Sequence, residues 1–216
     1  MTHTDPDAAP LHVVILCHPD DSSFNASVAH AYCDAVRAKG HRVILRDLYA
    51  MGFHPVLKGE ERPGPAFRLF PDVADELAIL QGAVAFVLVY PIWFGTPPAM
   101  LKGYVERVLG SGAIARDVQA GAAKSVLTGK VMVSFTSSAM REVWLSLQGQ
   151  VEGLRSCFDH YIKHAFGLRT ARHVHFEQIA PGMDARFVRL CLNDVRLEAD
   201  KVIRELAEAP AGVGMD

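Results

Sequence analysis

The sequence predicts a single α/β domain, a five-stranded parallel sheet in the order 2-1-3-4-5 with helices on both faces. Three observations predict it. Short apolar runs rich in β-branched residues alternate with helix-patterned segments along the chain. The strand-like runs are continuously apolar, as in strands buried on both faces. There is no internal repeat and no linker that would split the chain, so the alternation belongs to one layered α/β unit. The right-handed crossover rule leaves few topologies for such a unit. The order 2-1-3-4-5 brings the ends of strands 1, 3 and 4 around one switch point, where sheets of this kind bind ligands.

The elements follow in order. Leu11 to Cys17 (LHVVILC) is the first strand. Asn25 to Ala38 has helical spacing through Val28, Ala31, Tyr32, Ala35 and Val36, and Gly40 sits where a helix ends in a left-handed residue. Arg42 to Asp47 is a second, more polar strand, placed nearer an edge. Met51 to Pro71 is rich in Gly and Pro and is predicted to be a long loop. Asp72 to Leu80 is a helix with acidic residues in its first turn. Ala83 to Tyr90 (AVAFVLVY), the most apolar run, is the central strand. Pro97 to Leu109 is a helix with prolines at its start, where a missing N–H costs nothing. Gly110 to Gly129 is expected to be a loop and Lys130 to Phe135 a strand. Glu142 to Ala165 is expected to be one long amphipathic helix closed by Gly167. Thr170 to Phe176 is the last strand and Ala185 to Ala207 the terminal helix. Residues 1–10 are expected to be a disordered tail and 210–216 to fray, leaving 11–209 as the domain.

Half of the 216 residues are apolar and 21% are charged, as in ordinary globular proteins and sufficient for a sizeable core. A formal charge of −2 gives no basic footprint for nucleic acid and no strong field for anionic membranes. Met1 to Pro10 lacks the basic-then-apolar pattern of a signal peptide. No apolar run approaches the roughly 20 residues of a membrane helix. Cys17, Cys33, Cys157 and Cys191 are scattered without a C-x-x-C pair and read as small apolar fillers in a reducing compartment. The expected location is cytoplasmic, with neither a nucleic-acid partner nor membrane insertion.

The chemistry-bearing residues lie at the three strand ends. After strand 1 comes His18-Pro19-Asp20-Asp21-Ser22-Ser23-Phe24-Asn25, and then a helix. Unpaired N–H groups at that helix start, with the helix dipole, suit a phosphate; the plainer reading is a Ser23 or Asn25 N-cap. The loop is not Gly-rich and is neither a Walker loop nor a Rossmann fingerprint. Gly110 to Ala115 matches G-x-G-x-x-A but follows a helix and is discounted. After strand 3, Tyr90-Pro91-Ile92-Trp93-Phe94-Gly95-Thr96-Pro97-Pro98 puts two aromatics on a backbone stiffened by prolines. Consecutive N–H groups from Ile92 to Gly95 are expected to be free to stabilise a flavin that gains negative charge on reduction. Trp93 and Phe94 are expected to form a wall on which flat rings stack; an aromatic cluster that simply packs the loop is the plainer reading.

His18-Pro19 with Ser23-Phe24-Asn25, followed by Tyr90 to Gly103 (YPIWFGTPPAMLKG), resembles the flavodoxin-like NAD(P)H:quinone oxidoreductase family. That family includes quinone reductases, drug-activity modulators and potassium-efflux ancillary proteins. The resemblance covers roughly residues 11 to 207. It implies a flavodoxin-like three-layer sandwich, a tightly bound FAD with FMN as the alternative, NADH or NADPH as co-substrate, a homodimer, and two-electron reduction of quinones or similar small-molecule acceptors. Carried over residue by residue, His18, Ser23, Phe24 and Asn25 hold the phosphate end of the flavin, and Pro91, Ile92, Trp93, Phe94 and Gly95 line its ring. Thr136 and Ser137 match in type the first two residues of the family's Thr-Thr-Gly-Gly, whereas Ser138 and Ala139 replace its glycines. Arg186, in Asp184-Ala185-Arg186, matches a residue that lies near the adenine in FAD-binding relatives, although an Asp cap followed by a solvated Arg accounts for it equally.

The sequence also departs from the family. Animal-type quinone reductases carry a Tyr and a His near a Leu-Gln-Gly. Here Leu147-Gln148-Gly149 is present, but the equivalent positions are Trp144 or Leu145 and Gln150 or Val151. No acid–base residue is therefore assigned, and the flavin carries the chemistry. His160 with His164, and His173 with His175, have spacings a metal could use, but no H-E-x-x-H accompanies them and they read as surface or interface histidines. The leading reading is a ping-pong flavoenzyme. The alternatives are a flavodoxin-like electron carrier and a regulatory flavoprotein partner of a membrane transporter.

Overall fold

A computed structural model describes residues 9–120 and 125–208. The expected tails at 1–10 and 210–216 lie outside the described residues, apart from Ala9 and Pro10. The elements are β1 Leu11–Leu16, α1 Phe24–Ala38, β2 Arg42–Asp47, α2 Pro71–Gln81, β3 Ala83–Pro91, α3 Ala99–Tyr104, α4 Ala115–Gln119, β4 Val131–Ser137, α5 Glu142–Leu147, α6 Gln150–Leu154, α7 Tyr161–Ala165, β5 Thr170–Phe176 and α8 Ala185–Glu208. All five strands are parallel, in the order β2-β1-β3-β4-β5, as the alternation of strand and helix predicts.

The period of two along each strand divides the core between the two faces. Val13, Ile15, Phe86, Leu88, Tyr90 and Met132 face one way, with Leu154, Phe158 and Ile162. Val14, Leu16, Val87, Val89, Val133 and Phe135 face the other, against α1 and α8. The second face is apolar along β4, while on β5 Val174 and Phe176 share it with Thr170 and Arg172, which bond to Glu198 and Glu205 of α8. The first carries Ser134 and Thr136 beside His173 and His175, which are register partners across the two strands. This polar stripe inside a layered core is the feature of the fold that composition does not announce.

Three expectations need correction. Glu142 to Ala165 is not one helix. Gly149 has φ 71°, a left-handed value that ends α5 and re-aims the chain before α6, and the stretch Arg155–His160 between α6 and α7 is π-helical. The predicted helix from Pro97 to Leu109 likewise passes from α3 into a π-helical turn at Val105–Leu109. Within the predicted loop 110–129, Ala115–Gln119 forms the short α4, started without a side-chain cap. The cysteines also differ from expectation: all four are free, and Cys17, Cys33 and Cys191 are buried, but Cys157 is exposed. Burial pushes the Cys17 thiol up to about 12, so it stays protonated as an inert core group. Among the described residues, no helix is long and apolar enough to cross a membrane.

The loop between β2 and α2 is long but anchored. Gly103 lies so close to Pro55 that a Cβ there would meet the Pro55 carbonyl oxygen at 2.2 Å. Arg107, fully buried, reaches Glu61 at 2.8 Å, Asp72 at 2.8 Å and the His54 carbonyl at 2.6 Å. The loop is thereby fixed on the far side of the sheet from α1 and α8.

Candidate flavin site at the sheet switch point

The loop after β1 braces itself. Asp20 Oδ1 accepts from the Ser22 N–H at 2.9 Å and the Ser22 hydroxyl at 2.6 Å, bonds that hold its carboxyl below the usual range. His18 Nδ1 accepts from the Asp20 N–H at 3.1 Å. Ser23 caps α1, its hydroxyl oxygen accepting from the Ala26 N–H at 3.1 Å. The cap leaves the Phe24 and Asn25 N–H groups at the helix start without a partner among the described residues, because the first turn has no preceding carbonyls to receive them. Both readings of Ser23 are thus compatible: it is an N-cap, and it stands at an open helix N-terminus.

After β3 the chain makes a tight hairpin. Phe94 has φ 52° and Gly95 φ 82°, two successive left-handed residues between Trp93 and Thr96, which pair as an antiparallel bridge. This is the geometry of a two-residue turn with positive φ at both central positions. It corrects the expected row of donors. The Ile92 N–H donates to the Ser137 carbonyl at 2.7 Å and the Trp93 N–H to the Thr96 carbonyl at 3.0 Å. Among the described residues, the Phe94 and Gly95 N–H groups have no hydrogen-bond partner. The two residues of the expected wall differ in their packing. Trp93 packs beside His18, with ring centroids 5.8 Å apart, but the Phe94 side chain is fully exposed, because its φ turns it away from the hairpin.

The end of β4 ties the loops together. The buried Ser137 hydroxyl donates to Asn25 Oδ1 at 2.9 Å, linking β4 to α1 across 112 residues. The Thr136 side chain is buried on the opposite side of the strand, where its hydroxyl meets His173 Nε2 at 2.7 Å and His175 Nδ1 at 2.9 Å. Alternation along the strand sends neighbours to opposite faces, so Ser137 reaches the switch point and Thr136 does not.

These loops enclose a cavity of about 680 Å³, within the usual range of small-molecule sites. His18, Ser23, Phe24, Asn25 and the stretch Pro91 to Gly95 line it, with Ser137. Thr136 and Arg186 do not. Arg186 is exposed on the first turn of α8, and its N–H is capped by Asp184 Oδ1 at 2.7 Å. The lining also contains residues that sequence reasoning did not single out as site residues: Ser138, Ala139, Met140 and Ile179. Trp144, Leu145 and Gln150, where the family's Tyr and His are missing, line it too. The Leu-Gln-Gly motif pointed towards them, but the turn at Gly149 that folds both sides of it over the cavity was not predicted.

A three-layer parallel α/β domain with an apolar cavity at its switch point, opened to a helix N-terminus and a tight hairpin, defines a domain of the flavodoxin-like class. Residues 12–192 match the family described as having a flavodoxin-like fold, and the chain belongs to it. It is 35% identical over 126 residues to an uncharacterized NAD(P)H oxidoreductase of Haemophilus influenzae, covering 57% of this chain and 62% of that protein. It is 34% identical over 119 residues to NAD(P)H dehydrogenase (quinone) 1 of Rattus norvegicus, covering 46% and 43%. The matches thus span about half the length of these relatives. An NAD(P)H:quinone oxidoreductase from Methanothermobacter marburgensis has a similar fold, with TM-score 0.74, 24% identity and coverage of 91% of this chain and 98% of that one. An FMN-dependent NADH-azoreductase from Bacillus anthracis, solved with FMN, aligns with TM-score 0.65 and 15% identity over 89% and 99%.

Proposed function

We propose that the chain is a flavin-dependent oxidoreductase that moves two electrons from NADH or NADPH to quinones or similar flat acceptors. The observation that carries this reading is the cavity at the ends of β1, β3 and β4, which combines apolar walls with N–H donors at two separated places. The donor chemistry fits a flavin. The open Phe24 and Asn25 N–H groups and the dipole of the fifteen-residue α1 suit a phosphate. The Phe94 and Gly95 N–H groups suit the polar edge of a ring that becomes anionic on reduction. A flavin, when bound, supplies the hydride chemistry that none of these side chains can perform.

The chain's own residues position and enclose. His18 and Trp93 offer a face for stacking, while Met140, Trp144, Leu145 and Ile179 exclude water from the other walls. In this reading the cavity at the strand ends serves NAD(P)H and acceptor in turn, which gives ping-pong kinetics. The names of the relatives, NAD(P)H oxidoreductase and NAD(P)H dehydrogenase (quinone), support the reaction class. The FMN carried by the Bacillus anthracis neighbour supports the flavin. The cavity accounts for the part that FMN and FAD share, and Arg186 is the one feature that favours FAD.

The same reading includes a homodimer. Phe94 and Trp144 are exposed at the cavity, Val143 and Leu147 are exposed on α5, and a second copy would cover them with an interface of about 2,000 Å² or more. Light scattering that returns the monomer mass for active protein would exclude it.

Denaturing the purified protein and weighing the released cofactor tests the central reading. The expected result is FAD or FMN at one per chain; a preparation that retains neither after incubation with both ends it. Trp93→Ala is expected to raise KM for both substrates more than it lowers kcat, because it removes stacking area common to both.

A further inference from the structure

A continuous chain of hydrogen bonds runs from a buried carboxylate to the cavity wall. Asp159, in the π-helical stretch Arg155–His160, accepts from the Ser134 hydroxyl at 2.8 Å and lies 2.5 Å from His173 Nδ1. His173 Nε2 lies 2.7 Å from the Thr136 hydroxyl, and that hydroxyl lies 2.9 Å from His175 Nδ1. His175 Nε2 lies 3.1 Å from the Ser138 hydroxyl, which also reaches the Met140 carbonyl at 3.0 Å. Ser138 lines the cavity. The parallel register that sets Ser134 beside His173 and Thr136 beside His175 builds the chain.

We propose that Asp159, His173, Thr136, His175 and Ser138 form a proton relay that delivers to the cavity the proton a hydride-transfer reduction consumes. The inference rests on the oxidoreductase reading above. Reducing a quinone with NAD(P)H takes one hydride from the nucleotide and one proton from elsewhere, and no Tyr or His lines the cavity where the family has them.

Every group between the ends both donates and accepts, so the chain has two polarities. With Asp159 protonated, each link points outwards: Asp159 O–H to His173 Nδ1, His173 Nε2–H to Thr136, Thr136 O–H to His175 Nδ1, His175 Nε2–H to Ser138, and Ser138 O–H to the Met140 carbonyl. Turned from Met140 to an acceptor in the cavity, the Ser138 hydroxyl gives up its proton, and each neighbour passes one on. The chain ends with Asp159 ionised and every link reversed. One O–H bond forms in the cavity, one O–H bond is lost at Asp159, and no electrons move. Water at the cavity reloads the relay by the reverse steps once product leaves.

The surroundings keep His175 neutral. Burial lowers the His175 pKa to about 4, with His173 and Arg155 acting in the same direction and Glu177 opposing. On the Asp159 side stands Tyr90, whose buried hydroxyl has no hydrogen-bond partner among the described residues.

The test combines a spectroscopic readout on the purified protein with kinetics. Nitrogen-resolved NMR of the histidine rings is expected to show His173 and His175 exchanging their ring proton between Nδ1 and Nε2 together, in one titration. Thr136→Val, nearly isosteric, is expected to uncouple them and to retain flavin at the wild-type ratio. It should lower the rate of acceptor reduction by about 100-fold, abolish the solvent isotope effect on that step and flatten its pH profile, with Thr136→Ser restoring all three. Independent titration of the two histidines in the wild type overturns the relay without any variant being needed. So does a flavin-loaded Thr136→Val protein with wild-type turnover and isotope effect. A wild-type chain that retains no flavin overturns the oxidoreductase reading instead, and this inference falls with it.

Discussion

Two buried ionisable residues, Arg107 and Asp159, sit on π-helical turns on the same side of the sheet, and their surroundings differ in one respect. Arg107 is met by groups that only accept: the Glu61 and Asp72 carboxylates and the His54 carbonyl. Burial pushes Glu61 up, but the Arg107 guanidinium outweighs it and leaves that carboxyl below the usual range; the bonds from Arg107 do the same for Asp72. Donor meets acceptor and the set is closed. Asp159 is met by a hydroxyl and an imidazole, which donate and accept in turn, and the set continues for three more groups, Thr136, His175 and Ser138, to the cavity. Fixed charges closed on each other hold a loop in place, whereas amphoteric groups in series can carry a proton. π-helical turns are often found at functional sites, and here the chemistry of the neighbours separates the two uses.

The largest effect is expected from the closed set. Arg107→Met leaves Glu61 buried without its counter-charge and should cost about 3–5 kcal/mol of stability, read from urea unfolding. A loss below about 1 kcal/mol would mean that the cluster behaves like a surface pair and that the contrast is false. Gly103→Ala approaches the same loop from beneath. The added methyl collides with the Pro55 carbonyl and should cost about 1–3 kcal/mol by overpacking, with the flavin content of the folded fraction unchanged.

Asp159→Asn should disturb stability less, by about 1–3 kcal/mol for hydrogen bonds to one charged group. It should nevertheless stop proton delivery, since an amide keeps the geometry but cannot load the chain. Equal losses of stability and turnover in Asp159→Asn and Arg107→Met would erase the distinction between the two regions.

The smallest effect is a pH dependence confined to the open set and its counterpart on β1. His175 and His12 both have pKa values lowered to about 4, by burial first and then by a neighbouring histidine, His173 and His41 respectively. In the unfolded chain they take up protons near the ordinary value of 6.5. The unfolded state therefore binds more protons between those values, and stability must fall as pH drops from 6.5 towards 4. His175→Asn should remove part of that slope in thermal unfolding.

The sequence by itself determined the sheet, its order and the switch point, because these rest on local pattern. The strands Ala83–Pro91 and Thr170–Phe176 are marked by their own residues, and the order follows from chain handedness. Most of the cavity was legible for the same reason: His18, Ser23, Phe24, Asn25, Pro91 to Gly95 and Ser137 lie in strand-end loops that the topology must bring together. Tertiary structure alone decided which donors remain open and which polar residues meet. A sequence shows that Ile92 has an N–H but not that the Ser137 carbonyl consumes it. It shows Thr136 beside Ser137, but not that the strand turns one hydroxyl to the histidines and the other to Asn25. Asp159, His173 and His175 looked unrelated because their contact depends on the register of β4 against β5 and on the π turn that aims the carboxylate at the sheet. Those are non-local choices, made when the α6–α7 segment docks, and no single segment carries them.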